Sequence, residues 1–190
     1  MNTPAHAVLN LVILGRKQTR SLQLVVLLGA LLPDLPMLLF YLVTKVFMGI
    51  RESRIWDVHY HQAGWQNFFA LFNSIPLIGL GLLISWLIPS TAGRLFFMSM
   101  LLHVLFDLPL HNYDAHRHFY PFSDWRFHSP VSYWDPNHYG TIVTTMEISM
   151  VMLAILFLWR RDPSIFVKSI LFLISGAYLA YFGYVRWVWA

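Results

Sequence analysis

The sequence predicts an all-α integral membrane protein, a bundle of five to six transmembrane helices with one or two broken helices and a long His-rich loop. Three observations lead there. Only 12% of the 190 residues are charged and 57% are hydrophobic, whereas a soluble domain carries about 25% charged residues. So little charge cannot wet a soluble surface. Apolar runs recur along the chain at close to the ~20 residues that a helix needs to cross a bilayer. Prolines interrupt some of those runs, and a proline inside a helix removes a hydrogen bond and breaks or kinks it.

Residues 4–14, "PAHAVLNLVIL", are apolar but too short to cross unaided, which suits a half-helix or re-entrant start. Residues 22–44 form a span interrupted by Pro33 and Pro36, and residues 67–88 a second one holding Pro76, Gly79 and Gly81. Further spans follow at 93–111, 141–159 and 165–188. The last ends in "YLAYFGYVRWVWA", where Tyr178, Tyr181, Tyr184, Trp187 and Trp189 read as an interfacial aromatic belt. No repeat or linker divides the chain, so residues 1–190 are read as one membrane domain.

"MNTPAHAVLN" lacks a basic n-region, so no cleavable signal peptide is expected. Cysteine is absent, which excludes disulfides, thiolate ligands and a cysteine nucleophile. The net charge of +4 calls for no nucleic acid partner; membrane lipid is the expected surrounding. Arg16, Lys17, Arg20, Arg94, Arg160, Arg161 and Lys168 cluster in short connections, which the positive-inside rule makes cytoplasmic. Loops 45–66 and 112–140 then face outward, although Lys45, Arg51, Arg54, Arg117 and Arg126 run against the bias. In or beside those loops lie His59, His61, His111, His116, His118, His128 and His138.

Ionisable groups inside apolar runs are the sites of interest, because an Asp at mid-membrane costs roughly 2.5–3.5 kcal/mol and needs compensation. Asp34 lies between two prolines in "GALLPDLP" and is either a functional carboxylate or a cap at a kink. His103 and Asp107 are four residues apart, so they share a helical face. They can chelate a metal, orient one another, or serve only as a buried pair holding helices together. His111 would continue that face, though Pro109 should bend the helix first. The following loop brings Asp114, His116, His118, Asp124, Asp135 and His138. The expected topology places His6, Asp34, the end of the 93–111 span and this loop on one side of the membrane, which predicts a shared polar site.

Thr3-Pro-Ala-His6, Gly29-Ala-Leu-Leu-Pro-Asp34, and His103-x3-Asp107 followed by Pro121-Phe-Ser-Asp124 occur in that order. In this the chain resembles the YdjM-like, LexA-regulated type of membrane-bound metal-dependent hydrolases, from residue 3 to about residue 140. The resemblance implies that His6, Asp34, His103 and Asp107 are metal-site residues, that the activity is hydrolytic, and that the protein resides in a bacterial inner membrane. One segment departs from the pattern of many such proteins, which have His-Arg-Gly-x-Thr-His-Ser before the middle span. Here His61-Gln-Ala-Gly-Trp-Gln-Asn67 puts Gln66 and Asn67 at the second His and the Ser.

The expected function is therefore a membrane-bound hydrolase using a divalent metal. Zn²⁺ is the expected ion, since imidazoles and carboxylates suit it. Its ligands would be His6, Asp34, His103 and Asp107, with His111, Asp114, His116 or His118 closing the shell. Asp114 or Asp124 would be the general base, and a lipid ester the substrate. No Gly-x-Ser-x-Gly elbow or His-Glu-x-x-His helix is present. The alternatives are a small ion- or proton-handling transporter, or a scaffold whose polar pairs only join helices.

Overall fold

The computed structural model describes residues 1–161 and 165–189, with side chains through Ala180. Among the described residues all regular structure is helical. In order, the main elements are α1 (Thr3–Gly15), α2 (Arg20–Phe47), α3 (Ala63–Leu87), α4 (Thr91–Leu110), α5 (Gly140–Arg161) and α6 (Ile165–Trp189). Among the described residues four of these, α2 to α5, are long and apolar enough to cross a membrane. At 1.5 Å per residue α1 extends only roughly 20 Å, short of the ~30 Å hydrocarbon core. The outer faces are greasy: Leu28, Leu38, Leu83, Leu87, Leu153, Phe172 and Leu173 are all exposed. That pattern is compatible with a membrane protein and foreign to a soluble surface.

Short as it is, α1 occupies the middle. Ala5, His6, Ala7, Val8 and Leu9 are buried in succession, so the helix is covered on every side. A helix apolar all round belongs in a core, and α1 packs on α2, α4, α5 and α6. Polar clamps hold it there. Asn10 Nδ2 donates to the Ser99 carbonyl and hydroxyl of α4, each at 2.8 Å, and Ser99 Oγ donates to the Val26 carbonyl of α2 at 2.6 Å. Without water to compete, such bonds join helices that apolar packing alone would leave free to slide.

Two helices are broken. In α2 an α-helix over Arg20–Leu31 tightens into a 3-10 turn at Leu32–Asp34 and resumes at Leu35. Pro33 and Pro36 have no N–H to donate, so the regular ladder cannot continue through this stretch. Just before the break, Gly29 lies against α4 so closely that a Cβ would meet the Phe96 carbonyl oxygen at 2.4 Å. In α3 the interruption is at Asn73 and Ser74, ahead of Pro76, which occupies the first turn of the second half. Ser74 caps that half by accepting from the Leu77 N–H at 3.2 Å.

The loop between α4 and α5 covers both the break in α3 and the end of α4. The His118 carbonyl accepts from Ile75 N at 2.8 Å, His118 Nδ1 donates to the Asn73 carbonyl at 3.1 Å, and Ser74 Oγ donates to the Tyr120 carbonyl. Irregular backbone at membrane depth survives only under such cover. Ser129 fastens the other side, its hydroxyl donating to the Pro109 carbonyl at 2.6 Å and its amide to the His111 carbonyl at 3.0 Å. His111, His116 and His118 are thereby held at the C-terminal end of α4.

Tyr178 departs from the aromatic belt expected at the C-terminus. It is buried, and its hydroxyl donates to Glu147 of α5 at 3.0 Å. The side chains of Tyr181, Tyr184, Trp187 and Trp189 lie outside the described residues.

Candidate metal centre

The carboxylate of Asp107 is the hub. One turn back on α4, His103 places Nε2 at 3.0 Å from Oδ2, as the i, i+4 spacing predicts. From α1, His6 brings its Nε2 to 3.0 Å from Oδ1. Beyond the 3-10 turn at Leu108–Leu110, His111 still returns its Nε2 to 3.5 Å from Oδ1. The α-ammonium of Met1 lies 2.5 Å from the same oxygen. Asp34, carried by the break in α2, points Oδ1 at His103 Nε2 from 3.4 Å, while its Oδ2 accepts from Thr3 Oγ1 at 2.5 Å. The rings of His6 and His103 stack at 3.5 Å with 13° between planes. His6, His103, Asp107 and His111 thus form a buried cluster that could hold a metal ion.

The ring hydrogen bonds decide which nitrogens are available. His103 Nδ1 donates to the Ala30 carbonyl at 2.7 Å, which turns Nε2 toward the carboxylates of Asp34 and Asp107. That Nε2 is buried and lacks a hydrogen-bond partner among the described residues. The two carboxylates are near it but out of line for a hydrogen bond. A buried imidazole nitrogen with carboxylates beside it and no donor to accept from is what a cation would satisfy. His111 is held the same way: Nδ1 donates to Asp114 Oδ2 at 2.9 Å, and Nε2 turns toward Asp107. Orientation of a histidine ligand by a carbonyl or a carboxylate on its far nitrogen is the usual outer support of a metal site.

Electrostatics favour the same conclusion. Asp107 is a buried carboxylate and Asp34 a half-buried one, and burying charge without partners is expensive. In the loop, burial pushes the Asp114 carboxyl up, but the hydrogen bond and charge of His111, together with the Trp134 hydrogen bond, outweigh it and hold the group below the usual carboxylate range. Burial, reinforced by His111 and His118 nearby, pushes His116 down, and burial also lowers His118. Both rings are therefore neutral near pH 7, the form that ligates metals.

The other candidates are placed apart. His118 lies outside the groups that bring ligand atoms together and serves the loop by its bond to Asn73. Asp124 is exposed and paired with Arg117 at 2.7 Å, away from the buried cluster. Asp135 caps the entry to α5, accepting from Asn137 N at 2.9 Å and His138 Nδ1 at 2.8 Å. Gln66 and Asn67, which stand where the resembling family has His and Ser, accept from Arg126 at 2.8 Å and Arg117 at 2.7 Å. At these positions the chain has side chains that fasten the loop.

Sequence reasoning missed the anchors of the N-terminus. Buried Glu147 accepts from Asn2 Nδ2 at 2.8 Å and from the Tyr178 hydroxyl, which docks the start of α1 against α5 and α6. A lone Glu in the run "TTMEISM" carries the same warning as Asp34. Thr3, the partner of Asp34, carries no such signal.

Comparisons with protein-family models, with curated proteins and with solved structures returned no match. What this chain does is argued from the centre itself.

Proposed function

We propose that this chain is an integral membrane, metal-dependent hydrolase whose metal is held by His6, His103, Asp107 and Asp34. The observation that carries the reading is the bare, buried Nε2 of His103 between two carboxylates, with the His6 ring stacked upon it. The donor set of imidazoles and carboxylates suits Zn²⁺. Such an ion supplies Lewis-acid polarisation and activates water near neutral pH.

The chain's own residues would do the rest. The Ala30 carbonyl and Thr3 hydroxyl keep His103 and Asp34 in fixed orientations. Asp114 is the better-placed base of the two expected, because its Oδ1 is buried and lacks a hydrogen-bond partner among the described residues. That oxygen is where a proton taken from water would reside. Exposed Phe119, Phe122, Trp125, Trp134 and Tyr139 surround this end of the bundle. Aromatic side chains of this kind collect at the membrane interface, which favours a lipid ester reaching the centre from the headgroup region.

Metal analysis of the purified protein tests the reading. Wild type should retain a divalent ion after dialysis, and His103→Ala or Asp107→Ala should each lose most of it. The double variant should lose little more, because groups that share one ligand are not additive. Small, additive losses would leave only helix-joining pairs. Metal accumulation in sealed vesicles, without hydrolysis of any ester, would replace the enzyme by a transporter.

A further inference from the structure

We infer that the centre holds two cations, with Asp107 bridging between them. This rests on the metal-binding reading above but not on hydrolysis. Two groups of three residues bring ligand atoms within 4.8 Å of one another: His6, His103 and Asp107, then Asp107, His111 and His116. Asp107 is the shared member. Its two oxygens face different partners, Oδ2 toward His103 at 3.0 Å and Oδ1 toward His111 at 3.5 Å, with His6 at 3.0 Å from Oδ1. A carboxylate so placed can give one oxygen to each of two ions, the arrangement of two-metal sites with ions ~3.5–4 Å apart.

Three further observations support the second position. His111 has its far nitrogen fixed by Asp114 and its near one aimed at Asp107, the posture of an oriented ligand. His116 sits beside it with ring centroids 5.1 Å apart, and its ring nitrogens make no hydrogen bond among the described residues. The Met1 ammonium lies in this same place, 2.5 Å from Asp107 Oδ1 and 3.4 Å from His111 Nε2. The location thus accepts a positive charge. A divalent ion takes that place when the Met1 amine moves aside. Two ions would also grip two oxygens of one phosphate ester, a narrower substrate class than esters in general.

The test is an ion count with a spectroscopic check, using Mn²⁺ on the full chain stripped by a chelator and reloaded. Wild type should hold about two ions per chain and show the exchange-coupled resonance of a bridged pair. His116→Ala should hold about one and show the spectrum of isolated Mn²⁺, and His6→Ala should likewise keep about one. The resonance of wild type alone decides the matter if either variant fails to fold. A single ion in wild type, unchanged in His116→Ala but lost in His103→Ala, would overturn the bridge and leave the one-metal centre standing. No bound ion at all would overturn both.

Discussion

Asp34 shows how much one carboxylate can be asked to do. It accepts from Thr3 with one oxygen and faces His103 with the other, so it joins α1, α2 and α4. Replacing it by Asn keeps the shape and lets the amide oxygen still accept from Thr3, while removing the charge. Asp34→Asn should therefore fold, yet bind metal roughly tenfold more weakly or worse, as loss of a supporting carboxylate does. Dialysis against a graded chelator would show it, and undiminished retention would reduce Asp34 to a partner at the kink. The i, i+4 relation of His103 and Asp107 was legible from spacing alone. Which nitrogen of His103 is bare was not, because the answer depends on the Ala30 carbonyl, 73 residues away in sequence.

The breaks in α2 and α3 and the short helix α1 share one logic. A proline or a cap stops the ladder, and another part of the chain then satisfies what is left open. For α1 that partner is Glu147, which gathers Asn2 and Tyr178. Glu147→Ala should release the first turn of α1 by removing the acceptor of the half-buried Asn2 amide, at about 1–3 kcal/mol. We expect a lower thermal midpoint in detergent together with reduced metal content, since His6 rides on the same helix. Glu147→Gln, which can still accept, should recover most of both. Equal losses in the two variants would mean that the charge rather than the hydrogen bonds holds α1. Spans and prolines could be read from the chain. The break in α3 at Asn73–Ser74 could not, because it depends on His118 and Tyr120 arriving from the loop to cover it.

Orientation in the membrane belongs to the molecule as a whole. The basic connections argue that Arg16, Lys17 and Arg20 are cytoplasmic. The metal centre sits at the end of the bundle that carries the loop following α4, so it should face outward. No cysteine is present, so single introduced cysteines report cleanly. Asn137 is exposed in that loop, and a cysteine there should react with a membrane-impermeant thiol reagent on intact cells. A cysteine at Gln18, between α1 and α2, should be protected until the cells are opened. The reverse pattern would place the centre on the cytoplasmic side and refute the charge argument, while leaving the cluster intact.

The sequence by itself determined that this chain is helical and apolar, where its helices run, and that His6, Asp34, His103 and Asp107 are out of place in hydrocarbon. Those facts follow from composition, periodicity and the cost of burying charge, which are local properties of a chain. The tertiary structure decided the rest. It made α1 a buried post, took Tyr178 from the expected belt, tied His118 to the Asn73 carbonyl and paired Asp124 with Arg117. It also turned Gln66 and Asn67 toward Arg126 and Arg117. Each of these depends on which distant group arrives to complete a hydrogen bond, and a buried donor or acceptor is indifferent to sequence separation.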